Sequence, residues 1–261
     1  MRTLKLTTSV WILSLFIVAS GLVSADAELE LQPPVGANIL SWSPEQQLQG
    51  YGSMAVIFPT RSVAASDLVL ALPNAEQNKV FDEDRLSYSF AGADKAETSV
   101  KGVRNFMQRM NTAGLIIVKD GVVQLEEYAL GHNAQTPWVS FSITKSVVSM
   151  LVGAAIKDGY ISGVDDLVTD YLPRLKGGVY DSVTVGQLLQ MSSGVGWNED
   201  YSDRESDIAV APLGGMPLFH YMNQLTRAAE PGTVFNYNTG ETNLVGALLR
   251  AALGNNLSTY L

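Results

Sequence analysis

The sequence predicts a mixed α/β (α+β) fold in which helices dominate around an antiparallel hairpin, and three observations carry that prediction. Two β-branched runs within Gly114 to Tyr128 flank Asp120-Gly121, a dipeptide that suits a tight hairpin turn. A nearly unbroken apolar stretch, Val147 to Ile156, follows and closes on Asp158-Gly159. A helix that is apolar all round is a buried one. Downstream, helix start and stop signals recur without any strand of comparable length between them.

The elements come in this order. Residues 1–25 carry Arg2 and Lys5, an apolar run from Val10 to Ala19, and a small-residue end at Val23-Ser24-Ala25. That layout is expected of a secretory signal cut after Ala25. The rival is an N-terminal membrane anchor, but the run is shorter than the roughly 20 residues a span needs. The mature chain is therefore expected in the periplasm or medium, with no stable membrane association after cleavage. Residues 26–95 are assigned to an N-terminal arm. Pro33-Pro34, Pro44 and Pro59 make 26–60 read as loop, wrapping a domain that spans 96–261. Val103, Phe106, Met107 and Met110 fall at i, i+3, i+4 and i+7 and predict an amphipathic helix before the hairpin.

Beyond the apolar block, Thr184 to Gly194 reads as a short helix with a threonine cap and a glycine stop. Residues 195–215 form a polar loop, and Pro217 opens a helix through Leu225, proline being favoured in a first helical turn. Val234 to Gly240 is a short extended segment before a helix from Thr242 to about Leu253. From Asn255 a new amphipathic pattern begins and stops at Leu261 without a cap, which reads as a chain cut short.

Composition excludes several classes. Residues 1–25 hold two basic residues and no acidic one, so their removal moves the net charge from −9 to −11. A chain that acidic is not expected to bind nucleic acid or an anionic surface. There is no cysteine, hence no disulfide, thiolate chemistry or lipidated cysteine. No His-Glu-x-x-His, calcium loop or phosphate-binding glycine loop occurs, so neither metal nor cofactor is expected. The acidic run Asp200, Asp203, Glu205, Asp207 reads as a solvated loop, and Asp165 and Asp166 as turn-orienting residues. The two histidines, His132 and His220, lack a Gly-x-Ser-x-Gly partner, and His220 reads as a packed helix residue.

Chemistry is suggested by Ser142 and Lys145, three residues apart at the mouth of the apolar block. On a helix they share a face within hydrogen-bonding reach. If Ser142 opens the helix, its Oγ lies at the positive end of the macrodipole, where an oxyanion is stabilised. A lysine in an apolar setting is disfavoured as ammonium, so it can be neutral and take the serine proton. The bland alternative is a helix cap beside a solvated lysine. A second polar cluster, Tyr237-Asn238-Thr239, is placed so that the tyrosine could share a proton relay with Lys145, with the Thr239 hydroxyl bridging to the lysine.

Together with Gly153 to Ile161, Asp165 to Pro173, Val183 to Gly194 and Phe235 to Gly246, the block Ser140 to Ser146 resembles the serine β-lactamase and penicillin-binding-protein superfamily. Within it, the texture is similar to class C-like hydrolases of the 6-aminohexanoate-dimer (nylon-oligomer) hydrolase kind. The resemblance implies a β-lactamase/transpeptidase-like fold: an antiparallel sheet beside an all-helical lobe. It implies a nucleophile at Ser142, a general base at Lys145 and a relay at Tyr237, cleaving a small ester or amide through an acyl-enzyme. Tyr201 falls where those hydrolases carry a substrate-facing tyrosine, and Thr239 stands where Asn or Ser is usual. The family's third motif lies on an edge strand that would follow Leu261. The C-terminal strands are thus expected to be missing, leaving a chain poorly soluble and without turnover. The alternative function is a non-catalytic relative that binds peptidoglycan fragments or a protein. Labelling by a fluorophosphonate separates the two.

Overall fold

The computed structural model describes residues 39–60, 62–64, 66–75, 87–91 and 97–261. The expected signal, residues 1–25, lies outside the described residues, as does 26–38 of the arm. Within 39–60 the arm is more ordered than its prolines suggest. Ser43 accepts from the Gln46 N–H and the Gln46 side chain answers the Ser43 N–H, a capping box that starts α1 (Pro44–Gly50). Pro44 sits in the first turn, where its missing N–H costs nothing. A short α2 (Met54–Ile57) follows.

Strands β1 (Ser87–Ala91) and β2 (Glu97–Lys101) pair antiparallel. The expected amphipathic helix is α3 (Val103–Arg109), with Val103 and Met107 buried. It covers a small core with Leu125. The second hairpin joins β3 (Gly114–Lys119) to β4 (Val122–Tyr128). Asp120 and Gly121 both take positive φ, 53° and 76°, as the tight turn requires. The arm returns here: Val123 donates to the Pro73 carbonyl at 2.8 Å and accepts from Ala75 at 2.9 Å.

The helical lobe holds the larger core. It comprises α4 (Ile143–Lys157), α5 (Val168–Tyr171), α6 (Val185–Leu189), α7 (Asp207–Val210), α8 (Gly215–Gln224), α9 (Thr239–Leu253) and α10 (Leu257–Tyr260). Ala155, Leu175, Val183, Met222, Leu244 and Leu248 are fully buried at its centre. The capping box Thr184–Gln187 opens α6, as its sequence suggests. The last long helix starts at Thr239, three residues earlier than expected, because Asn238 caps it by accepting the Glu241 N–H at 3.0 Å.

Helix α4 is not buried all round. Only Val152 and Ala155 are buried, while Ile143 and Met150 are 70% and 73% exposed. It packs along α9 with one side. Uniform apolarity leaves no period from which to infer that the other side faces outward. No helix among the described residues is long and apolar enough to cross a membrane.

Candidate active site

Ser142 is the N-cap of α4, one residue ahead of the helix proper, with helical φ and ψ of −69° and −7°. Its hydroxyl makes no capping bond to the helix backbone. Instead Lys145 Nζ donates to Ser142 Oγ at 3.0 Å. The turn that presents Ser142 is tight: Ile143, Thr144 and Lys145 donate back to the carbonyls of Ser140, Phe141 and Ser142 at 3.0, 3.1 and 3.0 Å. These three amides are therefore committed, while the helix dipole still points its positive end at Ser142. Lys145 is half-buried, less enclosed than a helix buried all round would leave it.

Tyr237, 92 positions beyond Lys145 in the chain, joins this pair. Lys145 Nζ lies 5.0 Å from the centre of its ring, within cation–π range. Three of the five residues singled out from sequence are thus brought together: a hydroxyl, an amine in contact with it, and a phenol beside the amine. That arrangement can pass a proton from Ser142 Oγ to Lys145 Nζ while the oxygen attacks an electrophile.

The other two, Tyr201 and Thr239, meet each other through a residue that sequence reasoning missed. Glu199 accepts from the Tyr201 hydroxyl at 2.7 Å, the Thr239 N–H at 3.0 Å, the Thr239 hydroxyl and the Trp197 indole N–H. The Thr239 hydroxyl proton is therefore directed to Glu199. Partial burial alone would raise the Glu199 pKa, but the donors, Thr239 foremost, outweigh it and hold the carboxyl below its usual value. Tyr201 is pushed up to about 12, by burial first and then by its bond to Glu199. As an anion beside the first turn of α9, Glu199 also complements the helix end. Nothing local in Trp197-Asn198-Glu199 distinguishes this carboxylate from the acidic residues that follow it.

Those neighbours hold turns. Asp200 accepts from the Ser202 N–H and hydroxyl at 2.8 and 2.7 Å, and Asp203 from the Glu205 N–H at 2.9 Å. Asp166 accepts from Ser162 and Gly163 at 3.0 and 3.2 Å. Among the described residues, no group of three or more His, Asp or Glu side chains gathers at a metal-binding spacing. His220 lies on α8 as expected but is exposed, its Nε2 paired with the Gln224 amide at 2.9 Å. A cleft of about 680 Å³ between α4, α8 and α9 is lined by Lys145 and Thr239 but not by Ser142 or Tyr237, so it adjoins the pair rather than enclosing it.

Comparison with known proteins gives a consistent result. A family model described as Beta-lactamase matches residues 100–261. The 6-aminohexanoate-dimer hydrolase of Paenarthrobacter ureafaciens is 28% identical over 181 residues, covering 64% of this chain and 46% of that protein. A Bacillus anthracis structure provisionally assigned as a 6-aminohexanoate-dimer hydrolase superposes with a TM-score of 0.59 at 19% identity. The superposition covers 81% of this chain and 56% of that one. A Bacteroides dorei structure provisionally assigned as a β-lactamase covers 58% and 45% at 22% identity, with a TM-score of 0.48. The chain thus spans about half the length of the relatives it matches.

Proposed function

Because the chain belongs to the β-lactamase family, we propose that it is a serine hydrolase acting on a small amide or ester, with Ser142 as nucleophile, Lys145 as general base and Tyr237 as proton relay. One observation carries the reading: the 3.0 Å contact between Lys145 Nζ and Ser142 Oγ, with the Tyr237 ring against the same amine. A nucleophile and its base must lie within about 2.6–3.2 Å, and these two do. The likeness to a 6-aminohexanoate-dimer hydrolase supports the amide branch of the reading.

The chemistry runs in two halves. Ser142 Oγ attacks the substrate carbonyl carbon as its proton passes to a neutral Lys145 Nζ. The new ammonium lies against the Tyr237 ring, whose face attracts a cation. The tetrahedral adduct collapses, and the leaving amine or alkoxide takes a proton from Lys145, directly or by way of the Tyr237 hydroxyl. An ester to Ser142 remains. Water, deprotonated by the same amine, attacks that ester, releases the acid and returns the proton to Ser142 Oγ. On this reading the substrate is contacted by Tyr201 and Thr239, a role supported by their shared bonding to Glu199.

A fluorophosphonate probe tests this, since labelling asks only for an activated serine. The expected result is one covalent mass increment located at Ser142, lost in Ser142→Ala and comparably reduced in Lys145→Ala, because nucleophile and base act as a unit. Undiminished labelling in Lys145→Ala would leave Lys145 as a plain surface lysine beside a helix cap. An unlabelled wild-type protein would favour a binding role for the fold.

A further inference from the structure

Phe141, the residue before Ser142, has φ of +43°, a left-handed conformation that a bulky residue keeps only when its surroundings hold it. Those surroundings come from the arm. The Tyr51 ring meets Phe141 edge-on at 5.0 Å and Trp138 edge-on at 5.7 Å. The Tyr51 carbonyl accepts the Val139 N–H at 2.9 Å, so this one residue grips 138–141 by both ring and backbone. Tyr51 is itself fixed: its ring stacks on Trp42 at 5.9 Å and its hydroxyl donates to the Ile39 carbonyl at 3.3 Å. Trp42 is buried, and a Cβ on Gly50 would lie 2.1 Å from its ring, so only glycine lets α1 close onto the indole. The residues doing this, 39–51, precede the region matched by the family model.

We infer that Tyr51 is a positioning residue for the nucleophile. It locks Phe141 in its left-handed conformation, and the turn that follows sets Ser142 Oγ 3.0 Å from Lys145 Nζ. The consequence for catalysis rests on the serine-hydrolase reading above; the mechanical restraint does not. Edge-on aromatic contacts are directional, so the ring and not the hydroxyl carries the effect on Phe141.

Tyr51→Ala and Tyr51→Phe in the 261-residue chain test it with two readouts. Hydrogen exchange by mass spectrometry should rise at least tenfold in peptides covering 138–145 of Tyr51→Ala, with α9 peptides unchanged, and stay near wild type in Tyr51→Phe. Under a fluorophosphonate, Tyr51→Ala should lose about 10- to 100-fold in maximal labelling rate with half-saturation unchanged, as for a nucleophile displaced by about 1 Å. Tyr51→Phe should restore the rate. Unchanged exchange across 138–145 in Tyr51→Ala overturns the inference, and so does raised exchange with an unchanged labelling rate. If wild-type protein is not labelled, the hydrolase reading falls and exchange alone decides the restraint. If the alanine variant loosens α9 as well, Tyr51→Leu, which keeps apolar bulk without an aromatic edge, is read by the same criteria.

Discussion

Glu241 allows a prediction with a worked magnitude. It lies in the first turn of α9, 1% exposed, four positions beyond Tyr237. Its Oε1 accepts from the Ser193 hydroxyl and, at 3.5 Å, from the Tyr180 hydroxyl, whereas Oε2 has no hydrogen-bond partner. Burial raises its pKa from 4.5 to about 7, with the two hydroxyl bonds opposing that rise only in part. Between those pH values the folded chain holds a proton that the unfolded chain has released. Stability is therefore fully present at about pH 4.5 and below, and falls as pH climbs through 7. At about 1.4 kcal/mol per unit, the whole window is worth about 3 kcal/mol. Glu241→Gln removes the titration and keeps an oxygen to accept the Ser193 hydroxyl. Urea unfolding of both proteins from pH 4.5 to 8 reads the effect. Relative to wild type, the glutamine variant should gain about 3 kcal/mol across the window and nothing further above pH 8. Parallel stability curves would show that Glu241 is ionised in the folded chain and refute the reasoning.

Tyr237→Phe should slow fluorophosphonate labelling of Ser142 by about 10²-fold, the usual range for a positioned acid–base group, with the urea midpoint unchanged. Glu199→Ala leaves the Thr239, Tyr201 and Trp197 donors without their shared acceptor and should cost about 1–3 kcal/mol in the same unfolding assay. Because the Glu199 carboxyl is held below its usual value, its stabilisation fades as pH falls through the folded pKa, so the variant should lose less stability in acid than wild type. Gly240→Ala puts a Cβ 2.4 Å from Met222 Sδ and 3.0 Å from the Trp197 ring, and should destabilise by about 1–3 kcal/mol, measured by urea unfolding. We also propose export, to be read by N-terminal sequencing of protein recovered from the periplasm or medium. The sequence should begin at or near Asp26, whereas intact Met1 in the membrane fraction would favour an anchor.

Local geometry was legible in the residues themselves. Asp120-Gly121 specifies a turn with two positive φ values, Thr184 with Gln187 specifies a helix start, and a spacing of three places Lys145 over Ser142, because each depends only on backbone angles a few residues apart. The Ser43-Pro44-Glu45-Gln46 start of α1 was equally local and was masked by the proline-rich stretch around it. The rest needed the fold. Glu199 reaches Thr239 across 40 positions, Tyr51 meets Phe141 across 90, and Tyr237 covers Lys145 across 92. Helix α4 shows the same limit from the other side, since an apolar block has no period to reveal that Ile143 and Met150 face outward. Such pairings are set by how elements pack, and packing depends on the shape and volume of many side chains at once. Hence the contact between Ser142 and Lys145 could be read from their spacing, while the carboxylate that gathers Tyr201 and Thr239 and the tyrosine that packs on Phe141 became visible only once the chain had closed on itself.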